Sequence, residues 1–180
     1  MKKAILSITL VLATGLLFAQ KKTTTSGVIK FDATTSLDKL PIADNKTVIA
    51  SLDTKTGKLA FEVSIKNFTF GNPRIQEHFN SAGWMDSEQF PTATFKGDIT
   101  NLSTVNFAKD GTYAVTVKGE LTMHGVTKPL ESKGTVAVTG KTINASSDFS
   151  VKLEDYGING GAIAAGKVSK EPKISVVAEF

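Results

Sequence analysis

Three side chains in the sequence could bind the polar end of a ligand: Arg74, His78 and His124. A guanidinium group pairs well with phosphate or carbonyl oxygens, and an imidazole can donate or accept a hydrogen bond. The two histidines are 46 positions apart and match neither the H-x-H nor the H-E-x-x-H spacing of metal sites. We therefore expect a head-group role for these residues, with simple solvation or helix capping as the alternative, and we expect no metal centre.

Patterns that carry catalysis are missing from the chain. The sequence contains no cysteine, which removes thiol nucleophiles, thiolate metal ligands and disulfides. It contains neither a G-x-S-x-G motif nor a glycine-rich phosphate loop, and no pattern marks one of its 17 acidic residues as a general acid or base. The sequence predicts a binding protein without a cofactor rather than an enzyme.

The first twenty residues have the layout of a secretory signal peptide. Lys2 and Lys3 precede the uncharged run Ala4–Phe18, and Ala19 supplies the small residue at the cleavage site. At a rise of about 1.5 Å per residue this run reaches only about 22 Å, short of the roughly 30 Å that a membrane anchor must cross. We expect residues 1–19 to be removed, leaving a domain of residues 20–180 that is periplasmic or secreted and has no stable membrane span.

The charge of the mature chain is close to balanced. The formal charge of +4 includes Lys2 and Lys3, and without them 19 basic residues face 17 acidic ones. These charges are spread along the chain, so no basic patch is available to bind nucleic acid.

The mature sequence is a series of strands separated by turn residues. Alternation with a period of two predicts eight strands, near Ser26–Thr34, Lys46–Thr54, Lys58–Asn67, Thr92–Asn101, Thr112–Met123, Val126–Val138, Lys141–Glu154 and Pro172–Phe180. One-sided apolar faces indicate antiparallel pairing, and short glycine-containing turns at 54–57, 109–112 and 139–141 agree. The pattern predicts an all-β protein, either an up-and-down barrel or a sandwich.

Two segments break this alternation. Residues 73–82 predict a short helix, with Asn72 as the N-cap, Pro73 at the first position and Gly83 as the end. About ten residues cannot form a stable helix alone in water, so we expect this one to dock through its apolar face, which consists of Ile75, Phe79 and Ala82. The glycine-rich stretch 156–170 predicts a mobile loop with a helical turn at 162–165.

Four segments carry a family pattern in order along the chain: 74–79 (RIQEHF), 90–97 (FPTATFKG), 118–130 (KGELTMHGVTKPL), and 147–149 with 155–158 (SDF, DYGI). They resemble the YceI-like family over residues about 58 to 180. The family's usual N-terminal H-x-x-V-x-G-x-F strand is replaced here by residues 37–42 (LDKLPI). The resemblance implies an exported, lipocalin-like antiparallel barrel of eight strands, with a short helix between strands 3 and 4, that holds a polyisoprenoid or other long-chain lipid.

A barrel of eight strands is either filled by its own side chains or wide enough to hold one small ligand. The inward apolar faces are needed in both cases, while the small inward residues Ala93, Ala145, Ser147 and Gly119 favour a cavity. The candidate ligand-binding residues are Phe61, Val63, Ile65, Phe68, Phe79, Trp84, Phe95, Val115, Val117, Ala145, Phe149, Val151, Ile174 and Val176.

The aromatic and methionine side chains around the predicted helix also have two interpretations. They form either a small core under a long connection or an adaptable lid at the barrel mouth; they are Phe68, Phe70, Phe79, Trp84, Met85 and Phe90. The leading functional hypothesis is a carrier for a polyisoprenoid or other lipid. An envelope structural or interaction module with a dry barrel is the second, an enzyme with an unrecognised site is the third, and a homodimer is the candidate assembly.

Overall fold

Nine strands and two α-helices make up the fold in the computed structural model, which describes residues 21–180. The strands are β1 (Lys21–Asp32), β2 (Ile42–Asp53), β3 (Lys58–Ser64), β4 (Thr69–Phe70), β5 (Thr92–Ile99), β6 (Gly111–Met123), β7 (Val126–Thr139), β8 (Thr142–Ser150) and β9 (Lys173–Glu179). The helices are α1 (Pro73–Asn80) and α2 (Gly161–Ala164), and 3-10 turns occupy Ile65–Asn67, Leu102–Thr104 and Leu153–Tyr156. The predicted signal peptide and its cleavage site lie outside the described residues.

Eight of these strands close an antiparallel barrel. Their order around the barrel is β1-β9-β8-β7-β6-β5-β3-β2, and β2 pairs back to β1. The two-residue β4 pairs with β2 at Ala43 and Asp44, a stretch of β2 that β3 does not reach. The predicted all-β barrel of eight strands is therefore confirmed, with its helix between the third and fourth barrel strands.

Glycine occupies the turns that need a positive φ. In the β2–β3 turn Gly57 has a φ of 75°, and its amide donates to the carbonyl of Asp53 at 2.8 Å. The carboxylate of Asp53 accepts from the amides of Lys55 and Thr56, both at 2.9 Å. Gly140 has a φ of 59° in the β7–β8 turn, so both predicted turns occur where expected.

The β5–β6 connection is longer than predicted. It spans residues 100–110 and contains a 3-10 turn, and Gly111 begins β6 instead of sitting in a tight turn. Asn101 allows β5 to end early, because its side chain donates to the carbonyl of Ala114 at 3.0 Å and accepts from the amide of Thr116 at 2.8 Å. The side-chain amide of Asn101 thus makes the hydrogen bonds to β6 that a continued β5 backbone would otherwise make.

Other strand bounds also differ from the alternation pattern: β1 begins at Lys21 instead of Ser26, β2 begins at Ile42 instead of Lys46, and two strands end early. The third strand stops at Ser64, because the amide of Ile65 donates to the carbonyl of Pro91 at 2.9 Å and the chain then turns. The strand predicted to reach Glu154 stops at Ser150 and is followed by the Leu153–Tyr156 turn, which ends at Gly157 with a φ of 71°. In both places the apolar residues after the strand still point inward. The alternation therefore does not show where the strand ends and the turn begins.

Helix α1 begins as predicted and ends earlier. The side chain of Asn72 accepts from the amide of Arg74 at 2.9 Å, with Pro73 at the first helical position. The helix ends at Asn80, because the amide and hydroxyl of Ser81 both donate to the carbonyl of His78, at 3.2 and 2.7 Å. Ala82 is consequently exposed and does not share the docking face.

Apolar side chains pack at both ends of the barrel. One cluster lies at the end that carries α1, here called the helix end, and joins Phe31, Ile65, Phe68, Phe70 and Phe79 to Tyr156, Ile158 and Ile163. The other lies at the opposite end and joins Leu52, Ile99, Val115, Val136, Val138 and Ile143. The predicted loop 156–170 belongs in part to the first cluster, so it is a packed cap that includes α2.

Candidate functional site

An apolar cavity lies inside the barrel between the two packed ends. The centre of a water-sized sphere can move through about 160 Å³ of it, whereas one water needs only about 10–15 Å³ by this measure. Five residues of its wall carry a hydroxyl, and the others are aliphatic, aromatic or methionine side chains. Such a wall favours an apolar ligand over a charged one.

All fourteen residues that the sequence nominated for ligand contact line this cavity, from Phe61 in β3 to Val176 in β9. The structure adds wall residues that the nomination left out, chiefly Ile29, Phe31, Leu52, Leu59, Met85, Ile99, Leu121, Met123, Leu130, Ser132, Val136 and Phe180. Most of these added residues lie on the inward faces of strands, so the alternation of the sequence also predicts them. Contact between any of these residues and a ligand stays a prediction.

A pair of glycines sets the position of one wall ring. Gly97 of β5 lies directly opposite Gly119 of β6. A Cβ on either glycine would come within 2.7 Å of the Cζ atom of Phe95, so the ring lies over both backbones. The space that Gly119 was expected to leave open is therefore filled by Phe95, and the cavity extends elsewhere.

Phe79 is the centre of the lid over the helix end. Its ring lies 4.9 Å from that of Phe70, 5.5 Å from Phe68, 5.8 Å from Phe31 and 6.4 Å from Trp84, measured between centroids. These separations and tilts are those of favourable aromatic pairs. Because Phe68, Phe79, Trp84 and Met85 also line the cavity, the cluster is both a core and the cover of the cavity.

The three head-group candidates do not line the cavity. Arg74 and His78 are exposed on α1. The Nδ1 atom of His124 is 2.9 Å from the carbonyl oxygen of Tyr156, and its ring lies edge-on to Phe90 at 4.7 Å. Since a carbonyl only accepts, Nδ1 must carry the proton. His124 thus ties the β6–β7 turn to the cap, and a head-group role for the three stays a prediction.

Phe90 and Phe70, which the sequence grouped with the lid, also lie outside the cavity wall. Phe90 supports the β6–β7 turn, where a Cβ on Gly125 would approach its ring to 2.6 Å. In the 3-10 turn after β8, burial raises the pKa of the Tyr156 phenol, and the charge of Asp155 raises it further.

Within residues 21–180, no three His, Asp or Glu side chains are grouped closely enough to hold a metal ion. Over the same range, no helix is long and apolar enough to cross a membrane.

Comparison with known proteins finds one family. The family model described as a YceI-like domain matches residues 15–180. A UPF0312 protein of Pseudomonas putida is 30% identical over 114 residues, which cover 59% of this chain and 55% of that protein. A UPF0312 protein of Vibrio cholerae is 27% identical over 135 residues, covering 72% and 61% respectively. The chain thus spans little more than half the length of the curated relatives it matches.

Solved structures share the fold at low sequence identity. A polyisoprenoid-binding domain from Saccharophagus degradans, implicated in plant cell wall breakdown, superposes with a TM-score of 0.74 at 14% identity and covers 89% of this chain and 97% of its own. Burkholderia cenocepacia BcnA superposes with a TM-score of 0.71 at 17% identity, covering 86% and 96%.

Proposed function

The chain belongs to the YceI-like family, and from that premise we propose that it binds a long apolar ligand, a polyisoprenoid or another long-chain lipid, inside its barrel. The observation that carries this proposal is the apolar cavity inside the closed barrel, between its two packed ends. The shared fold with a polyisoprenoid-binding domain supports it.

The free energy gained by burying apolar surface in this cavity favours a long ligand over a short one. Burying one methylene group gains about 0.8 kcal/mol, while association costs about 4 kcal/mol or more. Micromolar binding corresponds to about 8 kcal/mol, so the ligand must bury roughly fifteen methylene equivalents. Polyisoprenoids and long acyl chains meet this requirement.

Binding without catalysis is part of the same proposal. General acid–base chemistry uses an ionisable side chain within reach of the substrate. Among the residues that line the cavity, only Thr94, Ser132, Thr135, Ser146 and Ser147 carry a hydroxyl and none carries an ionisable group, which suits retention of a ligand.

We expect the purified protein to bind all-trans-retinol, a diterpenoid alcohol, with a dissociation constant in the micromolar range or tighter. Trp84 is the only tryptophan of the sequence and lines the cavity, so bound retinol should quench its emission through energy transfer. Organic extraction of protein from its native host, followed by mass spectrometry, should identify the natural ligand.

Trp84→Phe provides the control for this titration, since it removes the energy-transfer signal but leaves the fluorescence gain of bound retinol itself. A wild-type titration that never saturates, together with an extract free of lipid, would support the envelope module with a dry barrel.

We also propose that the protein is exported and that the mature chain begins at Gln20. Strand β1 begins at Lys21, so cleavage after Ala19 would leave the barrel intact. We expect N-terminal mass analysis of protein from the envelope fraction to find Gln20 first. Retention of Met1 in that fraction would contradict this prediction.

A further inference from the structure

Two serines bring polarity to the interior of an otherwise apolar wall. Along β7, Leu130, Ser132 and Val136 share the inward face, and along β8 Ala145, Ser147 and Phe149 do the same. The other hydroxyl-bearing wall residues, Thr94, Thr135 and Ser146, alternate to the opposite face of their strands. Ser132 and Ser147 are therefore the hydroxyl groups that point into the cavity.

Both hydroxyl hydrogens are used inside the protein. The Oγ atoms of Ser132 and Ser147 are 2.6 Å apart, and the carbonyl of Lys133 lies 2.9 Å from Ser147 Oγ and 3.1 Å from Ser132 Oγ. A serine hydroxyl has one hydrogen and two lone pairs. If Ser132 donates to Lys133, Ser147 donates to Ser132. If Ser147 donates to Lys133, Ser132 donates to Ser147 or to the carbonyl of Asp148, 3.5 Å away. In each case the pair offers lone pairs without a free hydrogen.

The pair also lies where the barrel wall divides. Strand β7 pairs with β6 along its whole length, from Val126 to Val138. Its pairing with β8 begins only at Gly134, opposite Ser147. Before Gly134, β7 makes no ladder pairing with β8, and Leu130 of β7 and Phe149 of β8 line the cavity on this side of the fork. A polar group at the fork would thus lie beside an unpaired part of the wall.

We propose that Ser132 and Ser147 form a subsite for the hydrogen-bond-donating end of the ligand, an alcohol hydroxyl on a long apolar chain. This inference rests on the proposed function and names its ligand class: isoprenoid or other long-chain alcohols bind in preference to aldehydes, ketones or esters with the same chain. A carbonyl oxygen would meet only lone pairs, unless a serine broke a hydrogen bond that it already makes. Sites that hydrogen-bond a ligand hydroxyl discriminate strongly against analogues that lack it.

Separate titrations of the purified protein with all-trans-retinol and with all-trans-retinal test this subsite, with quenching of the Trp84 fluorescence as the readout for both. The two probes share one carbon skeleton and differ in whether the end group donates. We expect retinol to bind about tenfold more tightly, equivalent to about 1.4 kcal/mol. In Ser132→Ala/Ser147→Ala this ratio should fall to about one, while retinal keeps its affinity.

Ser150→Ala is the matched control, because Ser150 belongs to the same strand but is exposed and does not line the cavity, and it should retain the full ratio. Equal binding of both probes to the wild-type protein would overturn the subsite and leave the proposed function standing. A preference for retinol that survives the double substitution would also overturn it. Binding of neither probe would contradict the proposed function itself. Where the double variant fails to fold, the single substitutions Ser132→Ala and Ser147→Ala provide the same comparison.

Discussion

Replacing Ala145 with tryptophan is expected to abolish ligand retention in a protein that still folds. Ala145 lies in the middle of β8, opposite Val136 and Ala178, and its side chain borders the cavity. An indole there takes up space that the ligand would occupy. We expect retinol binding to weaken at least about tenfold, and any lipid that co-purifies with the wild-type protein to be absent. Native mass spectrometry and organic extraction measure both effects, and retinol's own fluorescence replaces the Trp84 signal.

Asn144→Trp is the matched control, because Asn144 is the adjacent residue of β8 and faces away from Ala145's side. This variant should keep its lipid. The alternative outcome differs in kind: if the space beside Ala145 closes in solution and holds no ligand, the added volume would cost about 1–3 kcal/mol or more of folding stability. A destabilised Ala145→Trp variant of a protein that never held lipid would favour the envelope interaction module.

Phe79→Ala is expected to cause the largest loss of stability of any substitution in the lid. Phe79 is 5% exposed and contacts four other aromatic rings, so its removal leaves a space that those rings cannot fill. Truncation of a buried phenylalanine costs about 3–5 kcal/mol, which corresponds to a fall in Tm of roughly 10 °C for a domain of this size. Thermal unfolding followed by circular dichroism measures the change. The same variant should release retinol faster, because its lid is incomplete.

Glu77→Ala serves as the control on the same helix, since Glu77 is exposed and its truncation should change stability by no more than about 0.5 kcal/mol. An unaltered Tm and unaltered ligand retention in Phe79→Ala would show that α1 is not docked as the structure describes.

Local patterns were sufficient for the class of fold and for most of the cavity wall. Alternation along β3 places Phe61 and Val63 on the inner face whatever the strand pairs with, because successive side chains of a strand point to opposite sides. Asn72 and Pro73 likewise define the start of α1 from their own backbone preferences. The candidate ligand-binding residues of the barrel could therefore be predicted from single strands, and the start of the helix from its own residues.

Other features depend on contacts between distant parts of the chain. The ring of Phe95 covers Gly119 only because β5 and β6 pair in a register that sets Gly97 opposite it. His124 was a candidate for a polar ligand group by residue type, but it bonds to Tyr156, 32 positions later in the sequence. Side-chain type does not reveal which partner already uses a hydrogen-bonding group.

By itself the sequence determined the all-β class, the number of barrel strands and the apolar character of the interior, since each follows from preferences that extend over a few residues. Only the tertiary structure decided that the interior contains a cavity rather than a filled core, because free volume depends on the side chains that meet across the barrel. It also decided that β7 and β8 separate at Gly134 and Ser147, and that two hydroxyls meet at this fork. Register and closure are properties of the whole sheet, and no single strand encodes them.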